Sequence, residues 1–321
     1  MFKPSFCLRN RHIQTLFPAL FRNQPQPKIQ IEVFELEDGD FVDCYWHKNI
    51  PQDNKDIVIL FHGLEGSYKS SYIKGIMVAL ESANFHSVLM HFRGCSGRQN
   101  RLPRAYHSGD TADAKAYIES LAIKHSHSKL HAIGYSLGGN MLLKLLGEWK
   151  ENSPLQSAIS ISAPMQLDIS AATIDSGFAK IYQKHLLKHL KNSLLEKYAK
   201  HDMKNIIGIS KKEVQNIATI RDFDNLYTAK IHGFKTAENY YKLSSAKQYL
   251  KHIKTKTLIL HALDDPFMTN EILPTKKELS SHIELQVERY GGHVGFVSGT
   301  IFNPTYWLEK RIVDFLTNQK R

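Results

Sequence analysis

The run Ala132-Ile133-Gly134-Tyr135-Ser136-Leu137-Gly138-Gly139-Asn140 constrains this chain more than any other stretch. A strand-like segment, Lys129 to Ile133, leads into it, and a helix-like segment, Asn140 to Trp149, leads out. Between them Gly134, Ser136 and Gly138 spell G-x-S-x-G. This is the pattern of a nucleophile elbow, a strand-to-helix turn tight enough to hold its serine in strained backbone geometry. A side chain at either glycine would collide with the neighbouring strand or helix. The turn lifts the hydroxyl clear of the sheet and sets it at a helix N-terminus, where developing negative charge is favoured.

Strand and helix patterns alternate on both sides of this turn. Ile29, Ile31 and Val33 alternate with polar residues, and Asp38-Gly39 turns the chain into Phe41 to Trp46. Ile57 to Phe61 and Ser87 to Phe92 are continuous apolar runs, as expected of strands covered on both faces. Helices are expected over Tyr72–Ala83 and Asp110–Lys124, and a strand over Ala158–Ala163. From Met165 to about Leu250 the text turns helical and basic. Leu187, Leu190, Leu194 and Tyr198 recur at helical spacing with lysines opposite. The alternation resumes with strands at Thr257–His261 and Leu285–Arg289, and Pro304–Thr317 reads as a closing helix. The fold class expected is therefore α/β, a mostly parallel sheet with helices on both faces. Residues 1–28 read as an irregular arm, 29–164 and 251–321 as the core, and 165–250 as a helical cap or lid above the strands' C-terminal edge.

Bulk properties narrow the function. The 321 residues are 42% hydrophobic and 23% charged, a globular composition that argues against disorder. No stretch reaches about 18 uninterrupted apolar residues, and Met1 to Arg11 has no signal-peptide core, so a cytoplasmic protein is expected. Cys7, Cys44 and Cys95 are too scattered for a disulfide framework or a zinc cluster. The formal charge is +11, and Lys180 to Lys204 holds seven lysines against Glu196 and Asp202, a net +5. With no zinc-finger spacing or arginine-rich arm, nucleic acid is not an expected partner. The seventeen histidines show no ligand spacing, so no metal is expected.

A serine hydroxyl needs a histidine to take its proton and a carboxylate to hold that histidine. On elbow-bearing sheets the chain order is serine, acid, histidine. His293 lies in the glycine-bracketed loop Gly291 to Phe296 after the last strand. Two acids follow the Thr257–His261 strand, Asp264 and Asp265. Asp265 is favoured by its count from the strand end, and because Pro266 pushes it into an extended conformation. Asp264 is the alternative, and Asp168, which opens the helical insertion, a weaker third. Whichever of Asp264 and Asp265 is not the triad acid would cap a helix or bond loop amides. The oxyanion needs backbone N–H donors, and Leu137, next after the serine, and Leu64, in the loop His62 to Gly66, are expected to supply them. His62 precedes the serine and reads as a loop-fixing residue. Cys95 reads as a packed thiol.

Taken together these residues resemble the YheT-like branch of the α/β-hydrolases, to which yeast ethanol acyltransferase/esterases and several mammalian membrane-associated lipases also belong. The resemblance covers nearly the whole chain. It rests on His12-Ile13-Gln14-Thr15, His62 to Ser67, His91 to Gly97, Gly134 to Asn140, Ser162-Ala163-Pro164, Phe223-Asp224, Ala262 to Met268 and Gly291 to Val297. It implies an α/β-hydrolase fold and a Ser–Asp–His hydrolase of carboxylic esters, often of medium acyl length, with no cofactor. It carries over Ser136, His293 and one of Asp264 and Asp265. Some relatives show H-x-x-x-x-D, an acyltransferase motif, but no histidine here has Asp five positions on.

The leading expectation is a serine esterase acting on a small-molecule ester, with lipid esters included in that class. An acyltransferase passing the acyl group to an alcohol is the alternative. A third reading is a non-enzymatic module of the same fold, docking on anionic membrane through the Lys180–Lys204 segment.

Overall fold

The computed structural model describes residues 1–22 and 26–318. Residues 23–25 of the expected arm and 319–321 of the expected core lie outside the described residues. Helix α1 (Arg11–Phe21) precedes β1 (Ile29–Glu35), β2 (Phe41–His47) and β3 (Ile57–Phe61). Then come α2 (Ser71–Ser82), β4 (His86–Met90), α3 (Ala112–Lys124), β5 (Leu130–Tyr135), α4 (Leu137–Trp149) and β6 (Leu155–Ile161). After a helical stretch, β7 (Lys256–Ala262) and β8 (Ile283–Glu288) complete one eight-stranded sheet in the order β1-β2-β4-β3-β5-β6-β7-β8. The β1–β2 and β2–β4 pairs are antiparallel, and the other five are parallel.

Side-chain alternation along β3 shows why the sheet is double-faced. Ile57, Ile59 and Phe61 pack with Tyr117 and Ile118 of α3 and Leu142 and Leu145 of α4. Val58 and Leu60 point the other way, toward Ile73 and Ile76 of α2 and Leu308 and Ile312 near the C-terminus. With both of its faces buried, β3 carries apolar residues throughout, the run Ile-Val-Ile-Leu-Phe. The strand order reverses between β3 and β5, and their parallel register sets Phe61 beside Gly134. The loops leaving both strands therefore meet at one crevice, where open α/β sheets bind ligands.

The stretch between β6 and β7 holds no strand among its described residues. It runs through α5 (Leu167–Ile174), α6 (Lys180–Lys197), α7 (Met203–Ile207), α8 (Lys211–Asn216), α9 (Ile220–Phe223), a π-helical turn (Asp224–Thr228), α10 (Ala229–Ile231) and α11 (Ala237–Ser244). Leu187, Leu190 and Leu194 of α6 join Met203, Ile207, Val214, Phe223 and Tyr227 in a small apolar core of its own. Ala246 and Leu250 already pack with the sheet, so sheet contacts resume a little before residue 251. Asn140 ties this stretch to the elbow helix. Its amide donates to the Ser108 and Ser244 carbonyls, and its oxygen accepts from Ala246 N–H.

Three expectations need correcting. The arm is not irregular: Arg11–Phe21 is helical, and the Asn10 side chain accepts from His12 and Ile13 N–H to cap it. Pro18 lies inside that helix and costs it only the bond to the Gln14 carbonyl. The chain after β8 forms a hairpin, β9 (Val297–Gly299) with β10 (Pro304–Tyr306), so the closing helix, α12, begins at Trp307 and ends at Thr317. The lysines of α6 are not uniformly solvated either. Lys197 is buried, bonded to Asn100 Oδ1 and the Leu102 carbonyl, and Lys191 donates to the Gln215 and Ile217 carbonyls.

Burial holds several imidazoles neutral: His62, His107 and His232 are lowered to about 3, His91 to about 4, and His261 is lowered as well. A base that binds its proton less well folded than unfolded gives its full stabilisation above about pH 6.5 and loses it as the pH falls toward 4. Thermal unfolding followed by circular dichroism should therefore show a midpoint that drops by roughly 5–10 °C between pH 7 and pH 4.5. His91→Gln, which removes one titrating group, should give a shallower drop.

Candidate active site

Ser136 sits between β5 and α4 with φ 51° and ψ −117°. Gly134 and Gly138 make this turn sterically accessible. A Cβ at Gly138 would lie 2.6 Å from the His62 carbonyl oxygen, and one at Gly134 would meet the Gly138 backbone. Ser136 N–H donates to the Ile161 carbonyl at 2.8 Å, which pins the turn to β6.

The Ser136 Oγ lies 2.9 Å from His293 Nε2, and His293 Nδ1 lies 2.8 Å from Asp265 Oδ2. The second Asp265 oxygen accepts from Phe267 N–H at 2.9 Å, so the buried carboxylate is fully engaged. Of the two candidate acids, Asp265 is the one that meets the imidazole. Asp264 instead accepts from Gly292 N–H at 2.9 Å, and burial raises its carboxyl above the ordinary range. Asp168 opens α5 and is brought to neither Ser136 nor His293.

Leu64 and Leu137 both line the cavity that holds Ser136. Leu137 is the first residue of α4, so its N–H has no acceptor one turn back. In the loop after β3, Gly63 N–H donates to the Tyr72 hydroxyl, Glu65 N–H to the Tyr106 hydroxyl and Gly66 N–H to the Gly63 carbonyl. Of Gly63 to Gly66, Leu64 is the residue whose N–H is not taken up in these bonds. His62 fixes the same loop: its Nε2 accepts from Phe92 N–H and its Nδ1 donates to the Gly63 carbonyl. That tautomer is neutral, as its lowered pKa requires.

The loop bearing His293 is built from left-handed residues: Gly292 at φ 55°, Val294 at 61° and Phe296 at 47°. Four side chains from three places in the fold hold it. Gly292 N–H donates to Asp264, His293 N–H to Thr15 Oγ1, Val294 N–H to Ser162 Oγ and Val297 N–H to Gln14 Oε1. The Gln14 amide donates in turn to the Leu8 and Val297 carbonyls. Arg11 reaches across to the Asp264 and Asp265 carbonyls. Phe267 stacks on the His293 ring at 4.1 Å between centroids and 14° between planes. Sequence reasoning gave none of Gln14, Thr15, Ser162 or Phe267 a role. The signal for Gln14 and Thr15 was two polar residues set inside the apolar run Ile13 to Phe21.

The cavity over Ser136 measures about 340 Å³. Its cap-side wall includes Leu186, Leu190, Leu194, Ile220, Phe223 and Tyr227. Ionisable groups line it as well, Arg93 among them, which is bonded to Asp38, Asp40 and Asp113, and three more are paired internally. Glu65 accepts from Tyr106 and Ser193, and burial raises its carboxyl. Asp224, raised to about 6 by burial, accepts from the Tyr241 hydroxyl. Lys197, lowered to about 8 by burial, donates as described above. Among the described residues, His107, Asp110 and His232 come nearest to a metal donor set, with ligand atoms within 4.8 Å of one another. Arg104 already occupies the Asp110 carboxylate at 2.8 Å.

Residues 56–300 match the family described as the alpha/beta hydrolase fold. YheT of Escherichia coli (strain K12) is 42% identical over 317 residues, which span 98% of this chain and 93% of that protein. The monoacylglycerol lipase of Saccharomyces cerevisiae is 32% identical over 252 residues, 76% of this chain and 55% of that one. Among solved structures, the esterase Pf2001 of Pyrococcus furiosus superposes with a TM-score of 0.60 at 16% identity, covering 92% of each chain, a likeness of fold alone. The elbow, the strand order and these relatives together place the chain in the α/β-hydrolase family, in its YheT-like branch and among hydrolases of the esterase and lipase type.

Proposed function

We propose that this protein is a serine hydrolase that cleaves carboxylic esters of short to medium acyl length through an acyl-enzyme. The observation that carries the reading is the continuous chain from Ser136 Oγ to His293 to Asp265, at 2.9 and 2.8 Å, beneath an apolar cavity. Ser136 Oγ attacks the ester carbonyl carbon while His293 Nε2 takes its proton, and Asp265 holds the imidazolium that forms. The oxyanion is received by Leu64 and Leu137 N–H, helped by the N-terminus of α4. As the tetrahedral adduct collapses, the C–O bond to the alcohol breaks and His293 returns the proton to the leaving oxygen. Water, deprotonated by His293, then attacks the acyl carbon, and the acid leaves with Ser136 restored. No step calls for a metal or organic cofactor.

The apolar wall supports an acyl chain as the group bound, and the volume lies in the range of small-molecule pockets. That yeast and animal relatives are named as a monoacylglycerol lipase and a phospholipase supports a lipid ester as the natural class.

The wild-type chain should turn over p-nitrophenyl esters and be labelled by a fluorophosphonate. Ser136→Ala should abolish labelling and lower kcat by about 10⁶-fold. Labelling that survives in that variant would sink the assignment of the nucleophile. Asp265→Asn should lower kcat by about 10⁴-fold, whereas Asp264→Asn, which keeps an acceptor for Gly292 N–H, should cost about tenfold or less. Equal losses in the two would contradict the division of roles between these acids. Product analysis with glycerol or ethanol present should find free acid, and acyl transfer to the alcohol as the dominant product would favour an acyltransferase. Thr15→Val removes the acceptor of His293 N–H and should lower kcat by about tenfold with KM little changed, since the loop it steadies carries the base rather than the substrate.

A further inference from the structure

Helix α1 wears its apolar face on the outside. Its inner side is held by Gln14 and Pro18, both buried, and by the polar contacts of Arg11 and Thr15. Ile13, Phe17, Leu20 and Phe21 recur at helical spacing and share the opposite face. Leu20 and Phe21 are 68% and 70% exposed, and Phe17 packs on Phe21 at 5.6 Å between ring centroids. A helix on a globular surface ordinarily turns such a stripe inward.

The cap carries a matching strip. Phe178 and Ile181, at the start of α6, are 49% and 60% exposed. The two strips adjoin: the His12 ring lies 4.2 Å from that of Phe178, and Leu16 packs against Ile174, Ala179 and Tyr182. Thr15 and Ala19 of α1 and Ile174 and Leu186 of the cap line the cavity over Ser136 between the strips. Ala19 is itself exposed, so the cavity reaches solvent there and apolar side chains border the opening.

The exposed charges around this border are mostly positive. Residues 1–31 hold no acid and expose Lys3, Arg9 and Lys28, while Arg11 is engaged by the Asp264 and Asp265 carbonyls and Arg22 by Glu309; residues 176–195 hold no acid and expose Lys180, Lys184 and Lys188. Lys69 and Lys74 line a second hollow that shares Ala19 and Tyr72 with the cavity. A second copy of the chain could cover the apolar residues, but it would bring these positive borders face to face. An anionic lipid layer satisfies both features, with acyl chains against the stripe and headgroups against the cations.

We propose that the outer face of α1, together with Phe178 and Ile181, seats the mouth of the cavity on an anionic lipid surface. This moves the contact away from the Lys180–Lys204 segment as a whole. Lys191 and Lys197 are committed inside the protein, while Lys180, Lys184 and Lys188 stand exposed on α6 beside Ile181. The proposal concerns where the protein docks, and it holds whatever reaction Ser136 performs.

The test is co-sedimentation of the full chain with phosphatidylcholine vesicles, with and without phosphatidylglycerol. The wild type should bind the vesicles that contain phosphatidylglycerol and only weakly the neutral ones. Leu20→Ser with Phe21→Ser, and separately Phe178→Ser with Ile181→Ser, should each weaken binding by about tenfold or more. Their melting temperatures should stay at the wild-type value, because the side chains removed are exposed. Wild-type binding indifferent to lipid charge, no binding at all, or binding unchanged in stably folded variants would each overturn the proposal. So would a wild-type dimer in sedimentation velocity that the variants convert to monomer.

Discussion

The site depends on how closely three pieces of backbone approach one another at Gly134 and Gly138. Strand β5 runs into α4 with only Ser136 between them, and the start of that helix lies against the carbonyls of Phe61 and His62. Contact that close leaves no room for a Cβ at either glycine, and it forces Ser136 into a region of φ and ψ that costs about 1–3 kcal/mol. The strain persists because the surroundings over-determine it. Ser136 N–H is tied to β6, the register of β3 with β5 fixes the neighbouring loop, and neutral His62 locks that loop from within. One tight turn thus sets the direction of the serine hydroxyl, the place of the Leu64 and Leu137 amides, and the end of the sheet at which a substrate must enter.

The histidine side of the site is made differently. The loop from Gly291 to Phe296, ahead of β9, has no regular structure to satisfy its amides, and several of its residues sit at positive φ. A segment like this holds one shape only if its N–H groups find partners, since an unpaired buried donor costs about 1–3 kcal/mol. Here every N–H from Gly292 to Val297 is bonded, four of them by the side chains of Asp264, Thr15, Ser162 and Gln14. Two of those four come from α1. The N-terminal arm is therefore part of the frame of His293, although it lies about 280 residues away along the chain.

This difference decides what could be read from the sequence. The elbow is local, so nine consecutive residues disclose it, and the alternation of apolar runs discloses the sheet around it. The serine, histidine and neighbouring acids follow from the order that such a sheet imposes. The choice between Asp264 and Asp265 could be favoured but not closed, because adjacent residues in one loop differ only in which way each carboxylate turns. The bracing of His293 by Gln14 and Thr15 was out of reach, since it pairs residues far apart with no periodicity to signal them. Helix α1 was misread for a related reason. Its apolar residues have helical spacing, but an inserted proline and a buried glutamine look like irregular chain until the partner loop is known. The stacking of Phe267 on His293 was hidden in the same way, because an aromatic residue after Asp-Pro reads as ordinary loop packing.

The polar groups that remain in the cavity say how it can select. Glu65 is held by two hydroxyls, Asp224 by a third, and Lys197 by an amide and a carbonyl. Each has its partners inside the protein, and burial has moved each toward its neutral form. None offers an unpaired charge to a ligand, so the ester proposed to bind there would meet apolar walls and the side chains of Ser136 and His293. Apolar walls distinguish chains that differ by one methylene by only about 1–3 kcal/mol, and they select weakly between substrates of similar shape. Selection by such a cavity is graded by length and bulk rather than by headgroup. For the lipid esters proposed as substrates, any sharper choice would be made before the chain enters, at the border formed by α1 and the start of α6.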